Sequence, residues 1–203
     1  VNGRVSALME ADMKTMVVDV GAHALGRAVL ACLPELKTWD KPVGIVDIGA
    51  SAMTFAALLK GEVVYSRLQN FGGDQYSQAL ASFYSMSLDE AELAKVQGRL
   101  PADHEVDVLL PHLNTLVLQV KRNVQLFCSS SGNKELSKLV LTGGGSLLPG
   151  LVGQIGSELN CDVLHPDPFA LFGKPKGEGG LIHGAKYMAA FGLALRSFTP
   201  CQI

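Results

Sequence analysis

The sequence has few cysteines and no excess of positive charge. Its four cysteines are widely scattered, and no two have the Cys-x-x-Cys spacing that is typical of a zinc site. We therefore expect free or buried thiols of the kind found in the reducing cytosol. The formal net charge of −2 supplies no positive field that would attract nucleic acid or anionic lipid. These absences argue against a zinc protein and against a nucleic-acid-binding protein.

The sequence also lacks an apolar segment that is long enough and sufficiently free of charge to predict a transmembrane helix. The best candidate, residues 180–198, contains His183, Lys186 and Arg196, and we interpret it as a buried helix. Residues 1–15 mix polar and charged residues with apolar ones, which does not fit a signal peptide. Val1 is not a natural initiator, which fits either an excised piece of a longer chain or a processed terminus. We expect any membrane association to depend on a partner protein.

What the sequence does contain predicts an α/β protein with a mixed sheet. Hydrophobic residues make up 48% and charged residues 18%, which is ordinary for a globular protein. Strand-like and helix-like segments alternate along most of the chain, which indicates a sheet with flanking helices. The predicted strands are Met16–Val20, Val43–Ile48, Met53–Leu59, Val63–Leu68, Leu139–Leu141 and Val163–Leu164. The predicted helices are Ala22–Leu33, Asp74–Tyr84, a helix capped by Ser87 and ending near Gln97, Leu109–Cys128, a helix after Pro149, and Ile182–Arg196.

One short pattern occurs twice. The segment from Val17 to Leu25 resembles the segment from Ile45 to Met53, because each has an apolar strand, an aspartate, an apolar residue and a glycine. A helix is predicted after the first copy, whereas a second strand and a hairpin are predicted after the second. In the second copy Asp47 ends a buried strand, where a carboxylate is costly unless it is paired or meets a metal.

The second copy has the features of a phosphate-binding loop. Gly49 permits a sharp corner, and the backbone N–H groups of Gly49, Ala50 and Ser51 would then point together at a phosphate. Asp47 would hold Mg²⁺ through water. The alternative is that Asp47 only caps a turn, and an isolated Asp-x-Gly does not decide between the two.

Two further glycine-rich turns are candidates for ligand contact. Gly72 and Gly73 open a helix, and a helix N-terminus that follows glycine suits an anion, although a plain turn would have the same residues. The run Gly143–Ser146 lies between a buried strand and a helix, where Gly143, Gly144 and Gly145 would let a flat ligand lie against the backbone. A purely structural role explains one or two of these three glycines better than all three.

The order and spacing of these three elements resemble the second half of the actin, Hsp70 and sugar-kinase superfamily. Asp47–Ser51 is similar to its second phosphate motif, Gly72–Gly73 to its glycine pair near the ribose and phosphates, and Gly143–Ser146 to its adenosine motif. Within that superfamily the chain resembles the PilM family of type IV pilus assembly proteins. That resemblance is carried by Phe71–Gly73, Ser87–Lys95, Gln97–Pro101 and Gly192–Phe198, and it covers nearly the whole chain.

The resemblance implies an actin-like (ribonuclease H-like) fold with a mainly helical inserted subdomain. It divides the chain into the tail of a first lobe, the phosphate-binding part of a second lobe, the inserted subdomain, and the adenosine-binding part with the last helix. The corresponding ranges are 1–42, 43–84, 85–134 and 135–203. The first phosphate motif and most of the groove for PilN would then lie before Val1.

By the same resemblance the protein is expected to bind ATP and Mg²⁺, with Asp47 at the metal, and to lie in the cytoplasm at the inner membrane. The expected partner is the cytoplasmic tail of PilN, with PilO and PilP reached indirectly and the pilus motor ATPases as further candidates. In the superfamily the region of Lys121 and Arg122 approaches the adenine and ribose, but a solvated basic helix face is the simpler interpretation. Gly21 stands where related proteins often carry glutamate, so we expect hydrolysis to be slow or absent.

Two other functions remain open from the sequence. The first is a phosphotransferase of the sugar-kinase type, but no aspartate other than Asp47 stands out as its base. The second is a scaffold with a degenerate nucleotide site, against which the intact Asp47, Gly49 and Gly143–Ser146 argue.

Overall fold

The computed structural model describes residues 1–132, 135–173 and 183–198. Five strands form one mixed sheet in the order β3-β2-β1-β4-β5. The strands are β1 (Val43–Ile48), β2 (Met53–Leu59), β3 (Glu62–Gln69), β4 (Lys138–Thr142) and β5 (Asp162–Leu164). The strand predictions for residues 43–48, 53–59, 63–68, 139–141 and 163–164 are thereby confirmed, with shifts of one residue at some ends.

The register of the sheet brings two candidate loops to the same edge. Strand β1 pairs antiparallel with β2 and parallel with β4, and Asp47 stands opposite Thr54 on one side and Thr142 on the other. Because β1 and β4 run in the same direction, the loops that follow them leave the sheet at the same end. This topology fixes the positions of the second Asp-x-Gly turn and of the triple glycine relative to each other.

Eight α-helices lie within the described residues. They are α1 (Asn2–Glu10), α2 (Gly21–Cys32), α3 (Gly73–Tyr84), α4 (Leu88–Gln97), α5 (Leu110–Ser131), α6 (Leu151–Leu159), α7 (Phe169–Phe172) and α8 (Met188–Ala194). No helix among these described residues is long and apolar enough to cross a membrane.

Helices cover both faces of the sheet. On one face α3, α5 and α6 pack on a core that includes Ile48, Phe55 and Leu141, and on the other face α2 and α8 pack on a core that includes Ile45 and Val140. Successive residues of a strand point to opposite faces, so Asp47 shares the face of Ile45, on which α2 packs.

The predicted start of α4 is confirmed in detail. The hydroxyl of Ser87 accepts a hydrogen bond from the Glu90 amide at 3.3 Å, and the Glu90 carboxylate accepts one from the Ser87 amide at 2.8 Å. Gly98 ends the helix with φ of 64°, a left-handed conformation that glycine adopts without strain. The local pattern was sufficient here because every group in the cap lies within one turn of the chain.

The strand predicted at Met16–Val20 is wrong. These residues are extended but pair with no strand among the described residues, and Met16, Val17, Val18 and Val20 are 58–78% exposed. A strand is stable only when a neighbouring strand takes up its backbone hydrogen bonds. No helix was predicted for the residues of α1, which precede this segment. None of the residues of α1 is buried.

The helical part differs from the predictions at three other places. A π-helical turn, Glu105–Leu109, leads directly into α5, so helical structure begins before the predicted start at Leu109. The last helix is broken into 3-10 turns on either side of α8, and its predicted start at Ile182 lies outside the described residues. The short α7 lies between the last predicted strand and the last predicted helix, where no helix was predicted, and residues 174–180 are also outside the described part.

Candidate functional site

Asp47 lies at the end of β1 with one carboxylate oxygen in use. The Thr142 hydroxyl donates a hydrogen bond of 2.8 Å to Oδ1 of Asp47. Neither a hydrogen bond nor an ion pair engages Oδ2 within the described residues. Burial raises the pKa of Asp47, although the hydrogen bond from Thr142 acts in the opposite direction. The arrangement leaves a half-buried carboxylate oxygen that a cation would stabilise.

The loop after β1 offers two free backbone donors. The Gly49 amide closes a tight turn by donating to the Ala52 carbonyl at 2.9 Å. Within the described residues the amides of Ala50 and Ser51 donate to no acceptor. Free amides next to a carboxylate suit a phosphate group that shares a hydrated Mg²⁺ with that carboxylate.

The start of α3 is fastened to this loop. The Gly73 amide donates to the Gly49 carbonyl at 3.0 Å, and the Asp74 amide donates to the Ala50 carbonyl at 2.8 Å. A Cβ added at Gly72 would lie 2.4 Å from the Ala50 oxygen, so no side chain fits at that position. Gly72 is therefore required for the contact between the loop and α3, whether or not a ligand is present.

Two charged residues of α4 lie beside the start of α3. The Lys95 ammonium pairs with the Glu92 carboxylate at 2.5 Å and donates to the hydroxyl of Ser77 at 2.7 Å. It also lies 3.4 Å from the Gly73 carbonyl. Burial alone would raise the pKa of Glu92, but its hydrogen bonds with Lys95 and Ser77 and the charge of Lys95 lower that pKa below its ordinary value.

Glu92 and Lys95 are not among the site residues that the sequence predicts. The available signal was their i, i+3 spacing on a well-capped helix, which places both side chains on one helix face. That spacing alone is common on solvated helices. Only the packing of α4 against α3 shows that this face meets the Gly72–Gly73 turn.

The triple glycine rests on the end of β1. An added Cβ would lie 2.4 Å from the Ile48 carbonyl oxygen at Gly143 and 2.3 Å from the Ile48 side chain at Gly145. At Gly144 the nearest atom is a side-chain carbon of Lys186 at 4.0 Å. Close packing therefore accounts for two of the three glycines, and only Gly144 has open space beside it.

Ser146 uses its hydroxyl within the protein. It is buried, donates to the Gly143 carbonyl at 2.7 Å, and lies 2.8 Å from Nε2 of His165. Because the Ser146 hydroxyl donates its proton to the Gly143 carbonyl, its oxygen accepts from His165, which places the imidazole proton on Nε2. Burial lowers the pKa of His165, with Asp167 acting against this shift and His183 adding to it. His165 stands out in the structure because it supports the turn, a role that its sequence context did not indicate.

Within the described residues, no hydrogen bond or ion pair joins Lys121 or Arg122 to these loops. Lys121 on α5 pairs with Glu158 on α6 at 2.5 Å, and Arg122 is exposed. Their approach to a bound nucleotide remains a prediction, and the solvated-face interpretation accounts for what is seen.

The described residues contain no group of three or more histidine, cysteine, aspartate or glutamate side chains that would hold a metal ion. A metal at this site would therefore depend on Asp47, on water and on the oxygens of a bound phosphate. Mg²⁺ is commonly held in this way, with few protein ligands and several waters.

Comparison with known proteins gives one family and several solved structures. The family model described as type IV pilus assembly protein PilM matches residues 1–198. The solved PilM-PilN type IV pilus biogenesis complex is similar with a TM-score of 0.80 and 26% identity, and the match covers 98% of this chain and 58% of that chain. This chain therefore spans less than two thirds of the length of that relative.

More distant structures show the same fold. The ethanolamine utilization protein EutJ from Carboxydothermus hydrogenoformans matches with a TM-score of 0.64 and 21% identity, covering 94% of this chain and 59% of that chain. MreB5 of Spiroplasma citri bound to ADP matches with a TM-score of 0.65 and 13% identity, covering 97% of this chain and 65% of that chain. The actin-like fold expected from the sequence is confirmed by these matches.

Proposed function

This chain belongs to the PilM family of type IV pilus assembly proteins, and we propose that it binds ATP with Mg²⁺ as part of an actin-like adaptor. The observation that carries the proposal is the meeting of three loops at the end of β1. The loop after β1 carries the free amides of Ala50 and Ser51 next to the free oxygen of Asp47, and the Gly72–Gly73 turn is hydrogen-bonded to this loop. The Gly143–Ser146 turn follows the adjoining strand β4. A relative of the same fold is described as bound to ADP, which agrees with this proposal.

Each loop has its own task in the proposed site. The amides of Ala50 and Ser51 bind phosphate oxygens, and Asp47 orients the water shell of Mg²⁺. Lys95 and Glu92 present a donor and an acceptor beside Gly73, which suits the ribose hydroxyls. Gly144, with open space beside its backbone, is the place where the flat base lies against the turn. Mg²⁺ would neutralise the charge of the phosphates.

We propose that hydrolysis is at most slow. Gly21 begins α2 and has no side chain that would orient an attacking water. A Cβ added at Gly21 would meet no atom within 4 Å, so the backbone leaves room for an acid that this chain does not carry. The nucleotide then acts as a ligand that sets the state of the adaptor.

The partner proposed for the full-length protein is the cytoplasmic tail of PilN, because the matched relative was solved as a PilM-PilN complex. Through PilN the protein would lie at the cytoplasmic face of the inner membrane and would communicate with PilO, PilP and the motor ATPases. A pull-down of the full-length protein with a PilN tail peptide tests this part. Failure to retain the peptide, together with ATP consumption only when a sugar is added, would instead favour the sugar-kinase alternative.

The nucleotide site is tested by calorimetric titration of Mg-ATP into the full-length protein. Lys95→Gln should weaken binding about tenfold, because a hydrogen bond from a charged donor is lost. Lys41→Gln is the matched control, since Lys41 is exposed just before β1, at the opposite end of that strand from Asp47. If the unaltered protein does not bind Mg-ATP, the proposal is contradicted and the scaffold alternative is favoured. If the two variants have equal effects on affinity, Lys95 is not part of the site.

A further inference from the structure

A cavity lies between α3 and the start of α5. Its volume is about 500 Å³, and it is formed by α3, by the turn at Glu105–Leu109 and by the first turns of α5. Phe71, Ala79 and Val108 give it apolar walls, and His112 lies at its floor. Cavities of this size accommodate a large side chain or a small ligand.

His112 is the unusual residue of this cavity. It is stacked between Phe71, with ring centres 5.6 Å apart, and Tyr76, with ring centres 5.2 Å apart. It is only 7% exposed, and within the described residues neither ring nitrogen makes a hydrogen bond. Burial and the charge of Lys95 lower the pKa of His112 to about 4, so the ring is neutral at pH 7 and has one donor and one acceptor to offer.

The ring nitrogens of His112 are not among the described polar atoms that are both fully buried and unpaired, so they keep contact with solvent in the cavity. An occupant that displaces this solvent must replace its hydrogen bond, because leaving the ring unpaired would cost on the order of 1–3 kcal/mol. Its stacked neighbours fix the ring, and the space beside it is the cavity. The position therefore favours an occupant that both fills the apolar space and exchanges a hydrogen bond with His112.

The charged residues at the rim of the cavity indicate which charge the occupant should carry. Asp107 lines the opening, Glu105 is exposed on the same turn, and no lysine or arginine is among the described residues that line the cavity. Phe83 is 53% exposed at the rim. An apolar pocket beside exposed aromatic surface, with carboxylates along its rim, is typical of a site for a protein anchor rather than for a free anion.

We propose that this cavity is a docking site for a partner peptide that inserts an aromatic side chain flanked by basic residues. The aromatic ring fills the space over His112 and forms a hydrogen bond with the imidazole through its own polar edge or through the adjoining backbone. The flanking basic residues pair with the carboxylates of Asp107 and its neighbours. None of the residues that line the cavity is assigned to the proposed nucleotide site, so the proposal does not depend on ATP binding.

The test uses two short capped peptides, Gly-Lys-Trp-Lys-Gly and Gly-Glu-Trp-Glu-Gly, added to the full-length protein and followed by NMR. The basic peptide should shift the imidazole signals of His112, and the acidic peptide should not. Asp107→Lys should weaken the basic peptide about three- to tenfold, because one attraction becomes a repulsion at a partly screened surface. Glu62→Lys, at the exposed start of β3, makes the same charge change elsewhere and should leave the affinity unaltered.

Two variants test the cavity itself. Thr115→Trp places a large ring at the exposed edge of the opening and should abolish the shifts of His112 without unfolding the protein. His112→Phe keeps the stacking but removes the nitrogens and should weaken the basic peptide about three- to tenfold. Equal shifts by both peptides, unchanged binding in Thr115→Trp, or stronger binding of free tryptamine than of the basic peptide would overturn the proposal.

Discussion

The two copies of the Asp-x-Gly pattern differ in secondary structure and in burial. In the first copy Asp19 lies in an exposed extended segment, and in the second Asp47 ends the central strand of the sheet. The apolar residue that follows shows the contrast most clearly, since Val20 is 58% exposed and Ile48 is 1% exposed. The same local pattern therefore gives a strand only where neighbouring strands are available.

The two carboxylates also differ in their partners. Asp19 accepts a hydrogen bond from the Val20 amide at 2.7 Å, forms an ion pair with Arg27, and lies 3.6 Å from the Arg196 guanidinium. Burial alone would raise the pKa of Asp19, but these hydrogen bonds and positive charges lower it. In Asp47 burial prevails and the pKa is raised. One carboxylate is satisfied by the protein, and the other has an oxygen left for a ligand.

The largest expected difference between the copies is in packing. Ile48→Ala should reduce the free energy of unfolding by about 2–4 kcal/mol, because it opens a cavity under the triple glycine. Val20→Ala should cost no more than about 0.5 kcal/mol, since an exposed side chain buries little surface. Urea unfolding followed by the fluorescence of Trp39, the single tryptophan, measures both. Similar losses in the two variants would contradict the assigned burial.

The next effect concerns Asp19. Asp19→Asn should destabilise the protein by about 1–2 kcal/mol at neutral pH, because it removes the charge that faces two arginines. A lowered pKa in the folded state means that this stabilisation is present above the unfolded-state value near 4 and is lost as the pH falls through the folded-state pKa. The difference between the two proteins in urea unfolding should therefore disappear in acid. A difference that persists at low pH would indicate a role other than charge.

The corresponding change at Asp47 should have the opposite sign. Without nucleotide, Asp47→Asn should stabilise the protein by up to about 1 kcal/mol at neutral pH, because it removes a half-buried charge and keeps an acceptor for Thr142. Since the pKa of Asp47 is raised in the folded state, ionisation costs stability as the pH rises, and the advantage of the variant should shrink on acidification. A destabilised variant in thermal unfolding would mean that Asp47 already has a partner.

The smallest effect on stability is expected at Gly21. Gly21→Glu should change the free energy of unfolding by about 0.5 kcal/mol or less, because the first turn of α2 is open and tolerates an acid. The same variant should raise the rate of phosphate release from Mg-ATP in the full-length protein, if the missing acid is what keeps hydrolysis slow. Gly3→Glu, on the exposed α1, is the matched control. An unchanged rate would contradict this explanation.

The sequence was sufficient where the determining contacts are local. The cap at Ser87 and the hairpin around Lys60 and Gly61 follow from residues a few positions apart, and both were predicted. The strand prediction for Met16–Val20 was wrong, because an apolar run does not reveal whether a partner strand lies beside it.

The candidate site shows the same limit. Asp47, Ala50 and Ser51 could be predicted as site residues because they lie at or just after the end of a recognisable strand. The reason for Gly143 is a contact with Ile48, nearly a hundred positions away, and the place of Lys95 depends on how α4 packs on α3. Sequence patterns identify which residue types suit a site, whereas tertiary packing decides which of them share it.

The central claim is that the free oxygen of Asp47 receives the Mg²⁺ of a bound nucleotide. The most direct measurement compares ATP binding with and without Mg²⁺ in the full-length protein, in Asp47→Asn and in Asp19→Asn. Mg²⁺ should strengthen ATP binding about ten- to a hundredfold in the unaltered protein and in Asp19→Asn, but should have little effect in Asp47→Asn. An undiminished response to Mg²⁺ in Asp47→Asn would contradict the account, because the metal would then be held elsewhere.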